Sequence, residues 1–433
     1  MALDPTTGGA ENRAGTGLIP LRRNRDFLLL QSGQVLSTIG SESTAIAYPL
    51  LILALTHSPA KAGVVGFARI LPWALFGFVA GVAADRLPRK AMMLTSDVVR
   101  ACLLASIVVA AALDRVTFQQ VALVAFFEGA MYVFFNIAEV GALRSVVPST
   151  QLPTAAAAEQ ARFSTVTIVA PPLGGALFGI GRAFPFLAGA LSPAFSLGTL
   201  LAMRTPFQEK REPDETPLRA QIAEGFRFLW DQPFLRACAL LFTFTNLVFE
   251  GMFLVLIVIA KRHGMPSGEI GALIAIFGVC SLAGSIIAPR IVRALSMRAI
   301  VVGAFWVQLG IVGYVLWPNI WVLLVSYLPM ALFLPSVYAV VIGYRVAITP
   351  DRLTGRVNSV ARTIALCGAP FGPLGAGLLL SSVSGRTTVA VFAAILLALA
   401  AGATLSPSIR KAPDIDELED LPPRPAAFPE VAG

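Results

Sequence analysis

Residues 62–113 read AGVVGFARILPWALFGFVAGVAADRLPRKAMMLTSDVVRACLLASIVVAAAL. Two apolar runs, 62–84 and 91–113, flank a loop that concentrates charge in Asp85, Arg86, Arg89 and Lys90. A helix needs about 20 residues to cross the hydrocarbon core of a bilayer. Each run is that long, and both are continuous where barrel strands would alternate. The stretch reads as two membrane-crossing helices joined at one bilayer surface.

The rest of the chain repeats this pattern. Spans are expected at 27–55, 62–84, 91–113, 118–143, 155–180, 184–203, 233–259, 268–289, 298–317, 319–344, 356–380 and 386–406. The composition agrees, with 56% hydrophobic and 13% charged residues in 433. Soluble domains carry about 25% charged residues. A soluble surface this poor in charge would expose large apolar patches, so a soluble enzyme is excluded. The expected fold class is an all-α polytopic membrane protein of twelve transmembrane helices in two six-helix halves. An arm at 1–26 precedes the first half, 27–204, and a central segment at 205–232 precedes the second, 233–406. The arm holds no apolar signal-peptide core. The later part of the central segment, LRAQIAEGFRFLWDQPFLR, is expected to lie along the inner membrane surface. The tail, 407–433, is Pro-rich and acidic and is expected to be disordered.

The 33 Lys and Arg residues exceed the 25 Asp and Glu residues, for a formal charge of +8. Most basic residues fall between apolar runs on alternate sides, which signals topology rather than nucleic-acid binding. With the N-terminus inside, the cytoplasmic segments hold most of them, as the positive-inside rule requires. Both termini are expected in the cytoplasm, and the chain in the plasma membrane. Cys102, Cys238, Cys280 and Cys367 lie in apolar runs, and the two histidines, His57 and His263, lie far apart near helix ends. No metal-ligand spacing, no cofactor motif and no phosphate-binding glycine loop is present in the sequence, so no metal or cofactor is expected.

The halves are weakly alike. Pro172-Leu173-Gly174 in the fifth run matches Pro373-Leu374-Gly375 in the eleventh. Arg86 and Arg89 match Arg290 and Arg293, and Pro148 matches Pro350, all at nearly one spacing. Repeated halves are a common construction of secondary transporters. The two Pro-Leu-Gly segments are candidates for bending or close packing, or for ordinary membrane-helix kinks.

The loop Gly81-Val-Ala-Ala-Asp85-Arg86-Leu-Pro-Arg89-Lys90 resembles the signature loop of the major facilitator superfamily, Gly-x-x-x-Asp-Arg-x-Gly-Arg-Lys/Arg, with Pro88 at the second glycine. "ALRSVVPSTQLPTAAAAEQ" followed by "PPLGGALFG" is similar to the efflux branch that holds macrolide exporters and the enterobactin exporter. The resemblance implies that Asp85 works against the eleventh helix as a gate that stabilises the outward-open arrangement. Physically, a carboxylate at a helix end can accept backbone N–H groups of another helix. Arg86, Arg89 and Lys90 can hold anionic lipid or carboxylates, or simply set topology. Gly77 and Gly81 would allow close helix approach. Pro289 stands opposite Asp85 in the second copy, so the gate is expected to be asymmetric.

Charge inside a membrane is costly and marks pairs or pathways. Glu42, Glu128 and Glu250 lie nearest mid-membrane and are the candidates for proton or cation coupling. A carboxylate in an apolar site can gain and lose a proton as it meets either side. Glu128, Tyr132, Asn136 and Glu139 form one stripe at helical spacing, as do Thr243, Asn246 and Glu250. With Gln34, Thr38 and Arg69 they are expected to line a central cavity. Asp97, Arg100, Glu139, Glu159, Arg162 and Arg362 are expected to form a charge network toward the inner side. For each buried acid, pairing that merely fixes packing is the alternative.

The expected function is proton-coupled efflux of an amphipathic small molecule by a monomer in contact with membrane lipid, with no catalytic activity and no nucleic acid. A siderophore exporter or an importer on the same fold is the first alternative, and a non-transporting scaffold or receptor the second. The excess of deep acids favours neutral or cationic cargo, with Arg69 as counterweight.

Overall fold

The structure, a computed structural model, describes residues 21–203 and 218–410. Most of the N-terminal arm, the first part of the central segment and the acidic tail therefore lie outside the described residues. The first half comprises α1 (Arg25–Thr56), α2 (Pro59–Arg86), α3 (Arg89–Ala112), α4 (Phe118–Val146), α5 (Leu152–Ile180) and α6 (Phe184–Ala202). Then comes α7 (Leu218–Asp231), the expected amphipathic segment. The second half begins with α8 (Pro233–Arg262), α9 (Ser267–Ala294) and α10 (Met297–Gln308). A 3-10 turn leads from α10 into α11 (Val312–Leu316), followed by α12 (Ile320–Ile348). Last come α13 (Asp351–Cys367), α14 (Phe371–Ser382), α15 (Gly385–Leu405) and α16 (Pro407–Arg410). Among the described residues, twelve helical spans are long and apolar enough to cross a membrane.

Local chemistry sets the helix starts. The side chains of Asn24, Ser58, Thr117, Ser296, Asn319 and Ser384 each accept a backbone N–H of the first turn. Such caps satisfy donors that have no partner inside the helix. The eleventh span, expected to be continuous, is broken between α13 and α14. Pro370 has no N–H to offer the Leu366 carbonyl, which instead accepts the Ala369 N–H in a tight turn.

Two helix pairs make the most extensive contacts between the halves, α2 with α14 and α5 with α9. Both contacts are tightest at the face opposite the basic loops. A Cβ on Gly63 would overlap the Pro373 carbonyl, and one on Gly377 would sit 2.5 Å from the Pro59 carbonyl. Gly175 and Gly271 play the same part between α5 and α9, against Ser267 and Pro171. Toward the basic face α2 and α13 draw apart. A Cβ on Gly77 would only reach Thr363 Oγ1 at 3.9 Å, and one on Gly81 would meet nothing within 4 Å among the described residues. The close approach expected at Gly81 is thus absent in this arrangement, because the halves diverge along α2 before reaching it. The Asp85 side chain, and with it the expected gate contact, lies outside the described residues.

The Pro-Leu-Gly copies also differ. Gly174 packs against the Ser43 backbone of α1, whereas Gly375 has no neighbour within 4 Å of a would-be Cβ. In the second half the close approach is made by Gly377, two residues later. At the basic face α7 lies on α13. Glu224 pairs with Arg352 at 3.2 Å and with Arg356, and Gly225 meets the Arg356 backbone. Phe226 and Trp230 stack at 5.1 Å and are exposed, as suits a helix at a membrane surface.

Candidate functional site

A cluster of charges on α1, α2, α3 and α4 fills the middle of the first half. Glu128 and Arg100 are both essentially inaccessible, at 1% and 0% exposure. Arg100 Nε donates to Glu128 Oε1 at 3.3 Å, and the Arg100 guanidinium lies 3.6 Å from Asp97 Oδ1. It also donates to Ser37 Oγ at 3.4 Å, and Ser41 Oγ donates to Glu128 at 3.1 Å. Arg69 sits 3.9 Å from both Glu42 and Glu128. Gly129 brings α4 onto the backbone of Arg69, where a Cβ would overlap its carbonyl, so Glu128 on the next position is held beside that arginine. An isolated buried charge is prohibitively costly, and the alternation of Arg and acid meets that cost locally.

The expected inner-side network divides in two. Arg100 and Asp97 belong to this central cluster. Glu139, Glu159 and Arg162 form a separate one, with Arg162 at 2.7 Å from Glu139 and 2.6 Å from Glu159. Gln31 donates to Glu159 at 2.6 Å. Arg362 joins neither. Its guanidinium lies 4.8 Å above the ring of Trp73, and among the described residues no carboxylate pairs with it. The reason is its helix: α13 belongs to the second half, and what faces it across the gap is the Trp73–Gly77 face of α2.

Other expected cavity residues are redistributed. Thr243 Oγ1 donates to the Ile364 carbonyl at 2.7 Å, and Asn246 Nδ2 to the Ala365 carbonyl at 3.0 Å. These carbonyls are released by the break after Cys367, so the two side chains cap a broken helix rather than line a cavity. Gln34 is buried at 1% exposure inside the first half. Thr38 and Asn136 are half-buried, and Tyr132 lies under Arg100, with the guanidinium 5.3 Å from its ring. Near the loop, Arg89 donates to the Gly141 carbonyl at 3.0 Å and Lys90 to the Met203 carbonyl at 2.9 Å, tying α3 to α4 and α6; Arg86 is exposed.

Glu250, from the second half, faces this cluster. A cavity of about 50 Å³ between the halves is lined by Tyr48, Arg69 and Glu250, with Gly66 and Pro373 on its wall. That volume has room for water. Tyr48 is 1% exposed and its hydroxyl has no hydrogen-bond partner among the described residues. Glu250 has no described ion pair, and Arg69 and Glu42 are the charged groups that act on it. Tyr48 and Trp73 were not singled out from the sequence. Trp73 follows Arg69 by four residues on one helix face, a spacing that offers a signal; Tyr48 sits in a buried apolar stretch and offers none. Among the described residues no group of His, Cys, Asp or Glu could hold a metal ion.

The paired helix bundles, the broken eleventh span, and a charged core in the first half that borders a cavity between the halves define a secondary-transporter architecture. The sequence profile of the Major Facilitator Superfamily matches residues 31–305 and again 239–428, and the chain belongs to that superfamily of multi-pass membrane transporters. The Multidrug efflux pump Tap of Mycolicibacterium fortuitum is 26% identical over 407 residues, 89% of this chain and 96% of that protein. Tap of Mycobacterium tuberculosis strain H37Rv is 26% identical over 410 residues, 90% and 95% of the two chains. Among solved structures, an inward-facing bacterial homologue of the iron transporter ferroportin superposes with a TM-score of 0.70 at 17% identity. It covers 89% of this chain and 99% of its own. An inward-facing, unoccupied bacterial homologue of the human lysosomal transporter Spinster gives 0.71 at 16%, covering 89% and 97%. Both share the fold.

Proposed function

We propose that this transporter exports an amphipathic small molecule from the cytoplasm in exchange for protons. The observation that carries the proposal is that one arginine, Arg69, stands among three carboxylates from both halves: Glu42, Glu128 and Glu250. The similarity to two proteins named as multidrug efflux pumps supports the direction. The positive-inside rule supports a cytoplasmic position for the basic loops and both termini in a plasma-membrane protein. On that assignment, the halves are closed outward and parted inward, the state that takes up cargo from the cytoplasm.

Arg69 then has more acid than it can neutralise. A proton on Glu250 removes its pull on Arg69 across the cavity and loosens that link between the halves; loss of the proton restores it. Glu42 meets Arg69 from α1 with 40% of its side chain accessible, so the cluster reaches the space between the halves. Glu128, locked to Arg100, holds Arg69 in place. The work is done by a single chain.

The test is flux of amphipathic dyes in proteoliposomes with an imposed proton gradient. Wild-type protein accumulates dye only when the gradient is present. Glu250→Gln and Glu42→Gln are expected to lose gradient dependence, and Glu128→Gln to lose flux altogether. Gradient-dependent flux unchanged in all three variants would remove the coupling assignment.

A further inference from the structure

The arginines Arg69, Arg100 and Arg162 each have two acidic partners within 4 Å. Arg362 has none among the described residues, yet it lies in a membrane span and is exposed. An unpaired charge at such a position lines an aqueous path or meets a ligand. It lies over the face of Trp73, across the gap between the halves. Trp73 is itself braced edge-on by Tyr132, with ring centroids 6.2 Å apart. A guanidinium over an aromatic ring still carries N–H donors in a planar fork, and among the described residues none of those of Arg362 has a hydrogen-bond partner. Such a fork matches two oxygens of an oxyanion. The opposite charge is close by. Arg69 precedes Trp73 by four residues on α2, about 6 Å along the axis, and Glu42 sits against Arg69 with 40% of its side chain accessible. The vestibule therefore offers an oriented cation from the second half and a partly open carboxylate from the first.

We infer that Arg362 is a specificity-determining residue that takes an oxyanion on the cargo, and that Glu42 takes a cationic group on the same molecule, so that amphoteric compounds are preferred. This refines the preference for neutral or cationic cargo expected from the count of deep acids. Of those acids, Asp97, Glu128, Glu139 and Glu159 are held by Arg69, Arg100 and Arg162, whereas Glu42, 3.9 Å from Arg69, keeps 40% of its side chain accessible. The inference rests on the transporter reading above but on neither its direction nor its coupling ion.

A matched pair of dyes tests it. Rhodamine 110 carries a xanthylium cation and a free carboxylate; rhodamine 123 is its methyl ester and keeps only the cation. Binding of each to the full-length purified transporter in lipid nanodiscs is read by fluorescence anisotropy, with no gradient. The wild type is expected to prefer the acid. Arg362→Gln is expected to weaken the acid about tenfold or more, as for loss of a charged hydrogen bond, and to leave the ester within about twofold. Arg362→Lys keeps the charge without the fork and is expected to fall between. Wild-type protein that binds the ester as tightly as the acid overturns the inference. So does an equal loss for both dyes in Arg362→Lys, which would mark a packing role. Because binding is measured at equilibrium, failure here leaves proton-coupled export standing, and failure of gradient-driven flux leaves the dye preference standing.

Discussion

Replacing Arg100 by Met is the sharpest probe of the charged core. Arg100 is wholly buried between Asp97 at 3.6 Å and Glu128 at 3.3 Å. At an effective dielectric of about 20, a unit pair at these separations attracts by about 5 kcal/mol. Much of that offsets desolvation, so the pair adds little net stability over an apolar replacement. Removing one member alone is different: Asp97 remains buried without a cation and Glu128 keeps only the more distant Arg69, at a cost of about 3–5 kcal/mol. Arg69 recovers little of this, since it already serves Glu42 and Glu128 at 3.9 Å. For a unit the size of one half, about 2–4 °C per kcal/mol makes this a fall of about 6–20 °C. The triple variant Asp97→Asn, Arg100→Met, Glu128→Gln removes the orphaned charges and is expected to regain most of the loss. The assay is a heat-challenge series in detergent, read as the monodisperse fraction by size exclusion. All variants share one heating schedule, because membrane-protein unfolding is governed by rate. A single variant as stable as wild type, or a triple variant no better than the single, would refute the argument that burial without compensation sets the cost.

Two further outcomes follow from the contacts between helices. Asn246→Leu strips the donor from the Ala365 carbonyl at the break in the eleventh span; a loss of about 1–3 kcal/mol is expected, with faster amide exchange confined to the α13–α14 junction, and exchange that stays slow there would count against capping. Gly63→Val drives a side chain into the Pro373 carbonyl and is expected to open the halves at the face opposite the basic loops and close them at the basic face. Spin labels at Gly81→Cys and Gly355→Cys, two positions with open space, would then move closer, and an unchanged distance would exclude α2–α14 packing as a determinant of the state.

The number of spans was legible because each crossing must be a long apolar helix, whatever its neighbours. The surface helix α7 was legible too, from its one-sided apolar pattern. The break after Cys367 was only half visible: Pro370 and Pro373 mark a weak point, but whether a proline bends or severs a helix depends on what satisfies the freed carbonyls. Here Thr243 and Asn246 from α8 do so. Their helical spacing with Glu250 looked like a cavity stripe because periodicity reports a shared face and not what that face meets.

The same limit separates the charges. Sequence alone determined that Glu42, Glu128, Glu250, Arg69, Arg100 and Arg362 lie within apolar spans, since hydropathy and length are properties of one helix at a time. Which acid meets which arginine was decided by tertiary structure. Glu128 and Arg100 lie 28 positions apart and on different helices, and Arg362 reaches Trp73 from the other half of the chain. Ion pairing acts over a few ångströms in space, so a pattern that runs along the chain carries no record of it.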